Sequence, residues 1–338
     1  MPFSQLLNQV INGQDLSHES MLALMHQVMA GELTPAQISG LLVALRIKGE
    51  TVDEIAAAAT VMRELSAKVE IADRRHLIDT CGTGGDGIQT FNVSTACAFV
   101  AAAAGAKVAK HGGRSVSSTC GSADVLEALG VNVQQTATQV ARCVDSIGLG
   151  FMFAPNHHSA MKHSAPVRRE LGVRTLFNLL GPLTNPANAK RQLLGVFSAA
   201  LTGKLAHVLK QLGSEHVMVV CGADGMDELS FSGDSYVAEL KNGEVKEYVI
   251  NPQQFGLELH ALSTIQVRDV EGSKAMLLEV LAGKLGPARD IVLLNAGAAI
   301  YVADLAPNLA QGIVTAASML DSGKALQKLQ QLIVATNA

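Results

Sequence analysis

The sequence predicts an α/β protein built from a small helical domain and a larger α/β domain. Three observations support this prediction. Apolar residues recur at helical spacing through the first 70 positions, and no strand pattern appears there. From residue 76 onward, short apolar runs alternate with Ala-rich stretches and glycine loops, which is typical of α/β domains. The chain has 338 residues, enough for two domains, which we expect at residues 1–72 and 73–338.

Helix-start and helix-stop signals mark the first domain. Thr34-Pro35 is typical of an N-cap followed by proline in the first helical turn. Thr51–Glu54 has the capping-box pattern, in which each end side chain bonds the backbone N–H of the other. Gly31 and Gly49 stand where helices are expected to end. These signals predict helices throughout residues 1–70.

The second domain is predicted from its strands. Leu77-Ile78 and Val217–Val220 are short apolar runs of the kind found in buried strands. Two further candidate strands flank Asn242-Gly243, a strong signal for a hairpin turn. The tail from Gly272 has a mostly helical pattern, so we expect helices to complete the domain.

Composition excludes several functions. The net charge of −4 provides no general attraction to nucleic acid or to an anionic membrane. Aromatic residues make up only 4% of the chain and Trp is absent, so few side chains can stack on bases. The five cysteines form no C-x-x-C pair, and the N-terminus lacks a signal-peptide layout. We therefore expect a cytoplasmic protein that binds neither nucleic acid nor membranes.

A glycine-rich segment, DTCGTGGDG, follows the first predicted strand. It is open to three interpretations: a dinucleotide loop, another phosphate-binding loop or a tight turn. Gly82, Gly84 and Gly87 fit the dinucleotide pattern, but that fold places an acid about 20 residues beyond the last glycine. No Asp or Glu occurs between Asp86 and Asp124, so the sequence disfavours a dinucleotide.

The segment after this loop favours phosphate. It carries Lys107, Lys110 and Arg114, which give it positive charge. The polar run 92–95 precedes a predicted helix at Ala96–Ala104, and a helix start exposes N–H groups that bind anions. A second glycine loop, KHGGRSVSS, leads into another predicted helix. Two such loops with cations between them predict a ligand that carries several phosphates.

An acidic pair, Asp227-Glu228, follows the predicted strand Val217–Val220. On its own, the pair is consistent with a solvated loop. Magnesium, however, prefers one or two carboxylates together with phosphate oxygens, and strand ends of an α/β sheet are common ligand sites. Together with the two glycine loops, the pair predicts a magnesium site.

Histidines and arginines cluster in the middle of the chain. His157, His158 and His163 lack any known metal-ligand spacing. An Arg facing a pocket can bind a carboxylate through two parallel bonds, and Arg168 and Arg169 are both candidates. Neighbouring residues on a helix point in different directions, so we expect at least one of the two to face solvent.

Six motifs of the sequence occur together in one known family. They are, in order, GTGGD, NVST, KHG-R-SVSS, GSADVLEALG, NLLGPLTNP and MDELS. In order and spacing they resemble the anthranilate phosphoribosyltransferase family of tryptophan biosynthesis, and the resemblance covers nearly the whole chain. It implies the fold shared by nucleoside phosphorylases and class III phosphoribosyltransferases. In that fold, helices from about residues 165–190 join the small helical domain in space, and the large α/β domain has a central mixed sheet flanked by helices.

The resemblance also implies an activity. The family transfers the 5-phosphoribosyl group of phosphoribosyl pyrophosphate (PRPP) to the amine of anthranilate and releases pyrophosphate. It works as a homodimer and requires magnesium, and the resemblance implies two ions per subunit. Ser94, Asp227 and Glu228 would hold these ions. No residue is implied as a general acid or base.

Each substrate has its own implied set of residues. The PRPP set is Gly82, Gly85, Asp86, Thr90, Asn92, Val93, Ser94, Thr95, Lys110, His111, Gly112, Gly113, Arg114, Ser115, Val116, Ser117, Ser118 and Ser122. The anthranilate set is Gly82, Gly113, His158, Arg168, Gly181 and Pro182. Within the second set, Arg168 would meet the carboxylate of anthranilate.

One position departs from the family pattern. The family usually reads K-H-G-N-R, and its Asn side chain contacts the aromatic substrate, whereas this chain has Gly113 there. The departure predicts one of three outcomes. Anthranilate, the acceptor substrate, binds more weakly; a water molecule takes the place of the Asn side chain; or the enzyme uses an acceptor that is chemically related to anthranilate.

Two alternatives to the transferase remain open. A nucleoside phosphorylase of the same fold would bind a base and free phosphate, and the paired acids argue against it. A nucleic-acid-binding relative without catalysis would have a basic surface, and the net negative charge argues against it.

Overall fold

A computed structural model describes residues 1–114 and 120–338 of the chain. Its N-terminal part is helical, with α1 Phe3–Ile11, α2 His18–Ala30, α3 Pro35–Lys48 and α4 Val52–Glu64. Thr34 and Thr51 close capping boxes at the starts of α3 and α4, which confirms both predicted helix starts.

The prediction of helix is wrong for residues 65–70, because α4 ends at Glu64 and no helix follows before the first strand. The backbone there bonds to distant segments instead. The N–H of Ala67 donates to the carbonyl of His157, and the N–H of Val69 donates to the carbonyl of Pro186. The local sequence pattern favours a helix here, but these long-range hydrogen bonds take the place of the hydrogen bonds that a helix would form.

A mixed sheet of seven strands lies at the centre of the part of the chain that the structure describes. Its strands are β1 Leu77–Gly82, β2 Lys107–Gly112, β3 Leu149–Phe153, β4 Arg191–Gly195, β5 His216–Gly222, β6 Ser235–Lys241 and β7 Glu244–Ile250. The spatial order is β3-β2-β1-β4-β5-β6-β7, with β1 to β5 parallel and the last two strands antiparallel. Asn242 and Gly243 have φ values of 53° and 77° at the β6–β7 turn, which confirms the predicted hairpin.

Helices cover the sheet. They are α5 Val93–Ala103, α6 Ser122–Ala128, α7 Ala137–Ile147, α8 Ala154–His157, α9 Ala165–Leu171, α10 Phe177–Leu183, α11 Thr202–Gln211, α12 Val270–Leu281, α13 Pro287–Val302, α14 Leu309–Asp321 and α15 Lys324–Asn337. The predicted start of α5 at Ala96 is wrong by three residues, because the N–H of Ala96 already donates to the carbonyl of Asn92 and closes the first turn. Within residues 1–114 and 120–338, no helix is both long and apolar enough to cross a lipid bilayer.

Strand β5 is buried on both faces of the sheet, and its side chains alternate between two apolar clusters. Val217, Val219 and Cys221 face an apolar cluster shared with α1–α4, α10 and α11. Met218 and Val220 face a second cluster, built mainly by α5 and α12–α15. The fold is therefore a helical part and a three-layered α/β part, as predicted.

Helices α9 and α10 pack on the N-terminal helices. α9 contacts α3, and α10 contacts α4. Val167 of α9 and Leu180 of α10 belong to the same apolar cluster as Leu41 of α3. Because this cluster is continuous, the predicted domain boundary at residue 72 stays a proposal.

Four neighbouring parallel strands end in glycine. Gly82, Gly112, Gly195 and Gly222 close β1, β2, β4 and β5, respectively. Because parallel strands end at the same side of a sheet, the loops after them lie together. We call this side the carboxyl edge, and it gathers the glycine loops and the acidic pair that the sequence analysis selected.

Candidate active site

The loop that carries the acidic pair packs directly on the ends of β1 and β4. A side chain at Gly82 would collide with the carboxylate of Asp227, and one at Gly195 would collide with the backbone of Asp227. The N–H of Gly84 donates to Oδ2 of Asp227 across 2.8 Å. Glycine at both strand ends therefore allows the acidic loop to contact the first glycine loop.

The first glycine loop connects β1 to α5 and is held near its end. Oδ1 of Asp86 accepts a bond of 3.2 Å from the N–H of Ile88. Thr90 pairs with Gln266 in an isolated β-bridge just before α5. The middle of the loop, around Gly84, is exposed, so a ligand can approach it from solvent.

Negative charge concentrates next to this loop, where Asp86, Asp227 and Glu228 interact. Burial, together with the nearby Asp86 carboxylate, raises the pKa of Asp227 to about 7. Burial also raises the pKa of Glu228; Asp227 adds to this shift and Lys110 opposes it. Among the described residues, no three His, Cys, Asp or Glu side chains are arranged to hold a metal ion by themselves. The neighbouring acids suit a cation that brings further ligands, as magnesium does with phosphate oxygens.

Lys110 is the buried cation of the carboxyl edge. Its Nζ donates to the carbonyl of Thr80 in β1 and, across 3.1 Å, to Oγ of Ser94 in α5. These bonds fix the ammonium group between the first strand and the start of α5. A fixed, buried cation at this position favours an anionic ligand.

Two of the three cations grouped by the sequence analysis pair with acids instead. Nζ of Lys107 lies 3.0 Å from Oδ2 of Asp73, and Lys107 begins β2 at the opposite side of the sheet. Arg114 lies 2.9 Å from Asp124 and 2.6 Å from Glu127. The expectation that all three cations act together is therefore wrong for Lys107, while Arg114 remains next to the second glycine loop.

The start of α5 brings polar groups to the same place. The backbone of Ser94 lies close enough to Glu228 to lower the pKa of that carboxyl group, against the larger effect of burial. Oγ1 of Thr95 is buried and has no hydrogen-bond partner among the described residues. Val93 differs from its neighbours, because its side chain is buried and its N–H already donates to the carbonyl of Phe91. It offers no free donor to a ligand.

The second glycine loop packs closely on the start of α6. A side chain at Gly112 would collide with Oγ of Ser122, and this hydroxyl lies 3.4 Å from the carbonyl of Gly113. Nδ2 of Asn92 donates to the carbonyl of Cys120 across 3.2 Å, which joins the two loops. Four predicted PRPP residues lie outside the described ranges: Ser115, Val116, Ser117 and Ser118.

His111 and His158 form a buried wall beside these loops. Their rings meet edge to face with centroids 5.1 Å apart, and Nδ1 of His111 lies 3.1 Å from the carbonyl of Gly181. Both Nε2 atoms are buried and have no hydrogen-bond partner within residues 1–114 and 120–338. Burial, with the neighbouring histidines, lowers the pKa of His111 to about 3 and that of His158 to about 4, so both rings are neutral at pH 7.

Strand geometry decides which face of the sheet the His111 side chain occupies. Successive side chains of a strand point to opposite faces, so His111 points away from the face that Lys110 occupies. The sequence analysis grouped His111 with PRPP, whereas its ring lies against His158 and Gly181, two residues of the anthranilate set. Recognising β2 as a strand would have separated the two side chains.

The structure distinguishes Arg168 from Arg169. Arg168 is half-buried on α9 and stacks over the ring of Phe177, 5.2 Å from its centroid, while Arg169 is exposed. Burial lowers the pKa of Arg168, and no acid pairs with it among the described residues. Arg168 is therefore a cation that faces the interior without a carboxylate partner.

Arg174 is a contact residue that the sequence analysis missed. It donates to the carbonyl of Gly85 in the first glycine loop and stacks 4.0 Å from the ring centroid of Phe197. It ties the segment between α9 and α10 to the loop. No local pattern identifies this role, because Gly85 lies 89 positions earlier in the chain.

Two family models match the chain. One, described as a glycosyl transferase family helical bundle domain, covers residues 4–66. The other, described as a glycosyl transferase family a/b domain, covers residues 74–326. The fold and the site therefore define a glycosyl transferase with a helical bundle and an α/β domain.

Individual relatives narrow this class. Anthranilate phosphoribosyltransferase from Methylobacillus flagellatus is 65% identical over 326 residues, which are 96% of each chain. The solved structure of anthranilate phosphoribosyltransferase from Thermus thermophilus matches with a TM-score of 0.93 and 43% identity, over 98% of this chain and 99% of that one. A structure of the Saccharomyces cerevisiae enzyme in complex with PRPP and Mg matches with a TM-score of 0.84 and 30% identity, over 95% and 92%. The chain belongs to the anthranilate phosphoribosyltransferase family, which confirms the resemblance.

Proposed function

We propose that this chain transfers the 5-phosphoribosyl group of PRPP to the amine of anthranilate and releases pyrophosphate, as a step of tryptophan biosynthesis. One observation carries the proposal: the first glycine loop, the start of α5, Lys110 and the acidic pair meet at the carboxyl edge, next to a neutral histidine wall. The glycine loop, the start of α5, Lys110 and the acidic pair suit a metal-bound diphosphate, and the histidine wall suits an aromatic acceptor. The yeast relative that binds PRPP and Mg supports this assignment.

The residues of the carboxyl edge act on the leaving group. Displacement at an anomeric carbon passes through an oxocarbenium-like state, and an aromatic amine is a weak nucleophile. Departure of pyrophosphate therefore leads, and stabilising the charge that develops on it is the main catalytic task. Lys110 and the N–H groups of the glycine loops and α5 are positioned before the substrate binds, so little reorganisation is needed.

Magnesium fits the acidic pair. Ser94, Asp227 and Glu228 would hold it, and we propose two ions per subunit. When bound, magnesium offsets the negative charge of the diphosphate. Burial raises the pKa of both carboxyl groups, with Asp86 adding to the shift of Asp227 and Asp227 adding to that of Glu228, and a bound cation would offset this unfavourable concentration of negative charge.

From the implied PRPP set, we keep the described residues that offer a polar group to the ligand or whose backbone a ligand can approach closely. They are Gly82, Gly85, Asp86, Thr90, Asn92, Ser94, Thr95, Lys110, Gly112, Gly113, Arg114 and Ser122. We propose that His111 serves the acceptor instead, and that Val93 has a packing role.

The acceptor assignment rests on chemistry that matches anthranilate. Arg168 would bind the carboxylate through two parallel bonds. His111, His158 and the Gly181-Pro182 turn would line the aromatic ring. Because both histidines are neutral, they do not protonate the amine, which must keep its lone pair to attack.

Gly113 gives a direct prediction about the acceptor. Gly113→Asn should lower the KM for anthranilate about fivefold, since one regained hydrogen bond is worth about 1 kcal/mol. No described atom lies within 4 Å of a Cβ built at Gly113, and its φ is not positive, so the side chain is sterically allowed. The KM for PRPP should change little. Steady-state kinetics of Gly113→Asn and Gly113→Ala measures these KM values. An equal change in the KM for anthranilate in both variants would contradict the role of the Asn side-chain amide.

We also propose that the chain forms a homodimer through its helical domain. Val43 and Ile47 lie one turn apart on α3 and are 36% and 81% exposed. Ile47→Glu should produce a monomer in analytical ultracentrifugation, because a charge replaces apolar surface in the interface. Val334→Glu, at a residue 70% exposed on α15, is the matched control and should remain dimeric. A dimeric Ile47→Glu protein would exclude this face. The cytoplasmic location stays a prediction.

An activity assay tests the proposed function. The protein is mixed with PRPP, magnesium and anthranilate, and the loss of anthranilate fluorescence is followed. We expect turnover that requires all three components. A folded protein without turnover would remove the proposal, whereas phosphate-dependent cleavage of a nucleoside would favour the phosphorylase alternative, which the relatives do not favour.

A further inference from the structure

A second cleft lies at the side of the sheet opposite the carboxyl edge. It has a volume of about 590 Å³ and lies between α4, the segment 68–74 and the loop that precedes β4. Arg74 and Asn188 line it, just before the first residues of β1 and β4. Since a strand of six residues spans about 20 Å, the cleft is separate from the acidic pair.

Arg63 forms the wall of this cleft. Its Nε donates to the carbonyl of Leu183 across 2.6 Å, and Nη1 lies 3.3 Å from the carbonyl of Leu212. Nη2 has no acceptor within residues 1–114 and 120–338, and no acid pairs with the guanidinium there. Burial lowers the pKa of Arg63 to about 10, so its side chain is still charged at pH 7. The cleft therefore contains a fixed cation with unused donors.

Two further cations line the cleft. Lys68 donates to the carbonyl of Arg63 and to Oγ of Ser66, and Arg74 donates to the carbonyls of the loop before β4. Burial lowers the pKa of Lys68. Repulsion from Arg63 lowers this pKa further, because the two cations lie close together. Neither Lys68 nor Arg74 has a carboxylate within salt-bridge distance in the described part of the chain.

Two carboxylates also line the cleft, and both are exposed. Glu64 lies 3.4 Å from Nε2 of His26, and Glu70 raises the pKa of Lys68 from a distance too long for an ion pair. The three cations therefore exceed the two acids by one charge. Arg63 is half-buried, whereas Lys68, Arg74 and both acids are exposed.

We propose that this cleft binds inorganic phosphate. A compact dianion would accept from Nη2 of Arg63, approach the ammonium group of Lys68 and relieve the repulsion between the two cations. The amide side chains of Asn188 and Gln211 line the same cleft and supply neutral donors. This site is independent of the PRPP site, because no residue lines both.

The test is a phosphate titration of thermal unfolding at pH 7.5, with sodium chloride keeping the ionic strength constant. Wild-type protein should show a phosphate-dependent rise in Tm. In Lys68→Gln the apparent affinity that underlies this rise should fall about tenfold, as expected for the loss of one charge-assisted bond. Glu70→Gln should strengthen binding, because it removes a negative charge from the rim.

Matched variants separate the cleft from other phosphate sites. Arg142→Gln removes an exposed cation of α7 outside the cleft and should leave the titration unchanged. Arg74→Gln should weaken binding like Lys68→Gln, and it provides a second variant if one of them unfolds. The same titration curve in wild type, Lys68→Gln and Arg74→Gln would overturn the proposal, as would an equal loss in Arg142→Gln.

Discussion

Replacing Asp227 by Asn together with Glu228 by Gln should reduce kcat by about a thousandfold or more, the largest effect that we expect from any change in this chain. Both substitutions keep the shape of the side chains but remove the charges that would hold magnesium. The hydrogen bond from Gly84 to position 227 can persist, because an Asn side chain also offers an oxygen. Steady-state kinetics at saturating PRPP and anthranilate measures the loss.

The fold should survive this double substitution. Burial raises the pKa of both carboxyl groups in the folded state, so their protonated forms contribute stability at low pH that is lost as pH rises, for Asp227 through about 7. At pH 8 the neutral amides therefore cost no more than the charged acids, and Tm should equal or exceed that of the wild type. Asp234→Asn, an exposed acid of the loop before β6, is the control and should keep full activity. Magnesium-dependent activity in the double variant would contradict the metal assignment.

Arg168→Ala should raise the KM for anthranilate about a hundredfold, while the KM for PRPP changes much less. The loss of two charge-assisted hydrogen bonds to the carboxylate accounts for this size. Arg168 is suited to this role because it is half-buried, stacks on Phe177 and has no acid partner in the described ranges. Initial rates over a matrix of both substrate concentrations separate the two KM values.

Arg169→Ala is the matched control, since Arg169 is the next residue on the same helix but is exposed. It should leave both KM values within about twofold of the wild type. If Arg169→Ala raised the KM for anthranilate as much as Arg168→Ala does, the assignment of the carboxylate contact would be wrong. An Arg168→Ala effect on PRPP alone would move Arg168 to the other substrate.

Sequence alone could locate the two halves of the phosphate site. Gly84 and Asp227 are 143 positions apart, yet both follow parallel strands, and the rule that such loops share one edge predicts their contact. The hairpin at Asn242-Gly243 and the capped starts of α3 and α4 were equally predictable, because local backbone chemistry decides them.

Other features depend on contacts that no local pattern contains. Gly195 is required only because the backbone of Asp227 lies against it. Lys107 appeared to belong with Lys110, but it begins β2 at the far side of the sheet and pairs with Asp73. The bond between Arg174 and Gly85 joins segments that neither spacing nor composition relates.

The most direct measurement is a crystal structure of the protein with PRPP and Mn²⁺ in place of Mg²⁺, with the metal located by its anomalous scattering. We expect metal peaks between the diphosphate and the carboxylates of Asp227 and Glu228, about 2–2.5 Å from their oxygens. The 5-phosphate and the diphosphate should contact the two glycine loops. Ordered PRPP bound elsewhere, or metal peaks remote from both carboxylates, would contradict the proposed site.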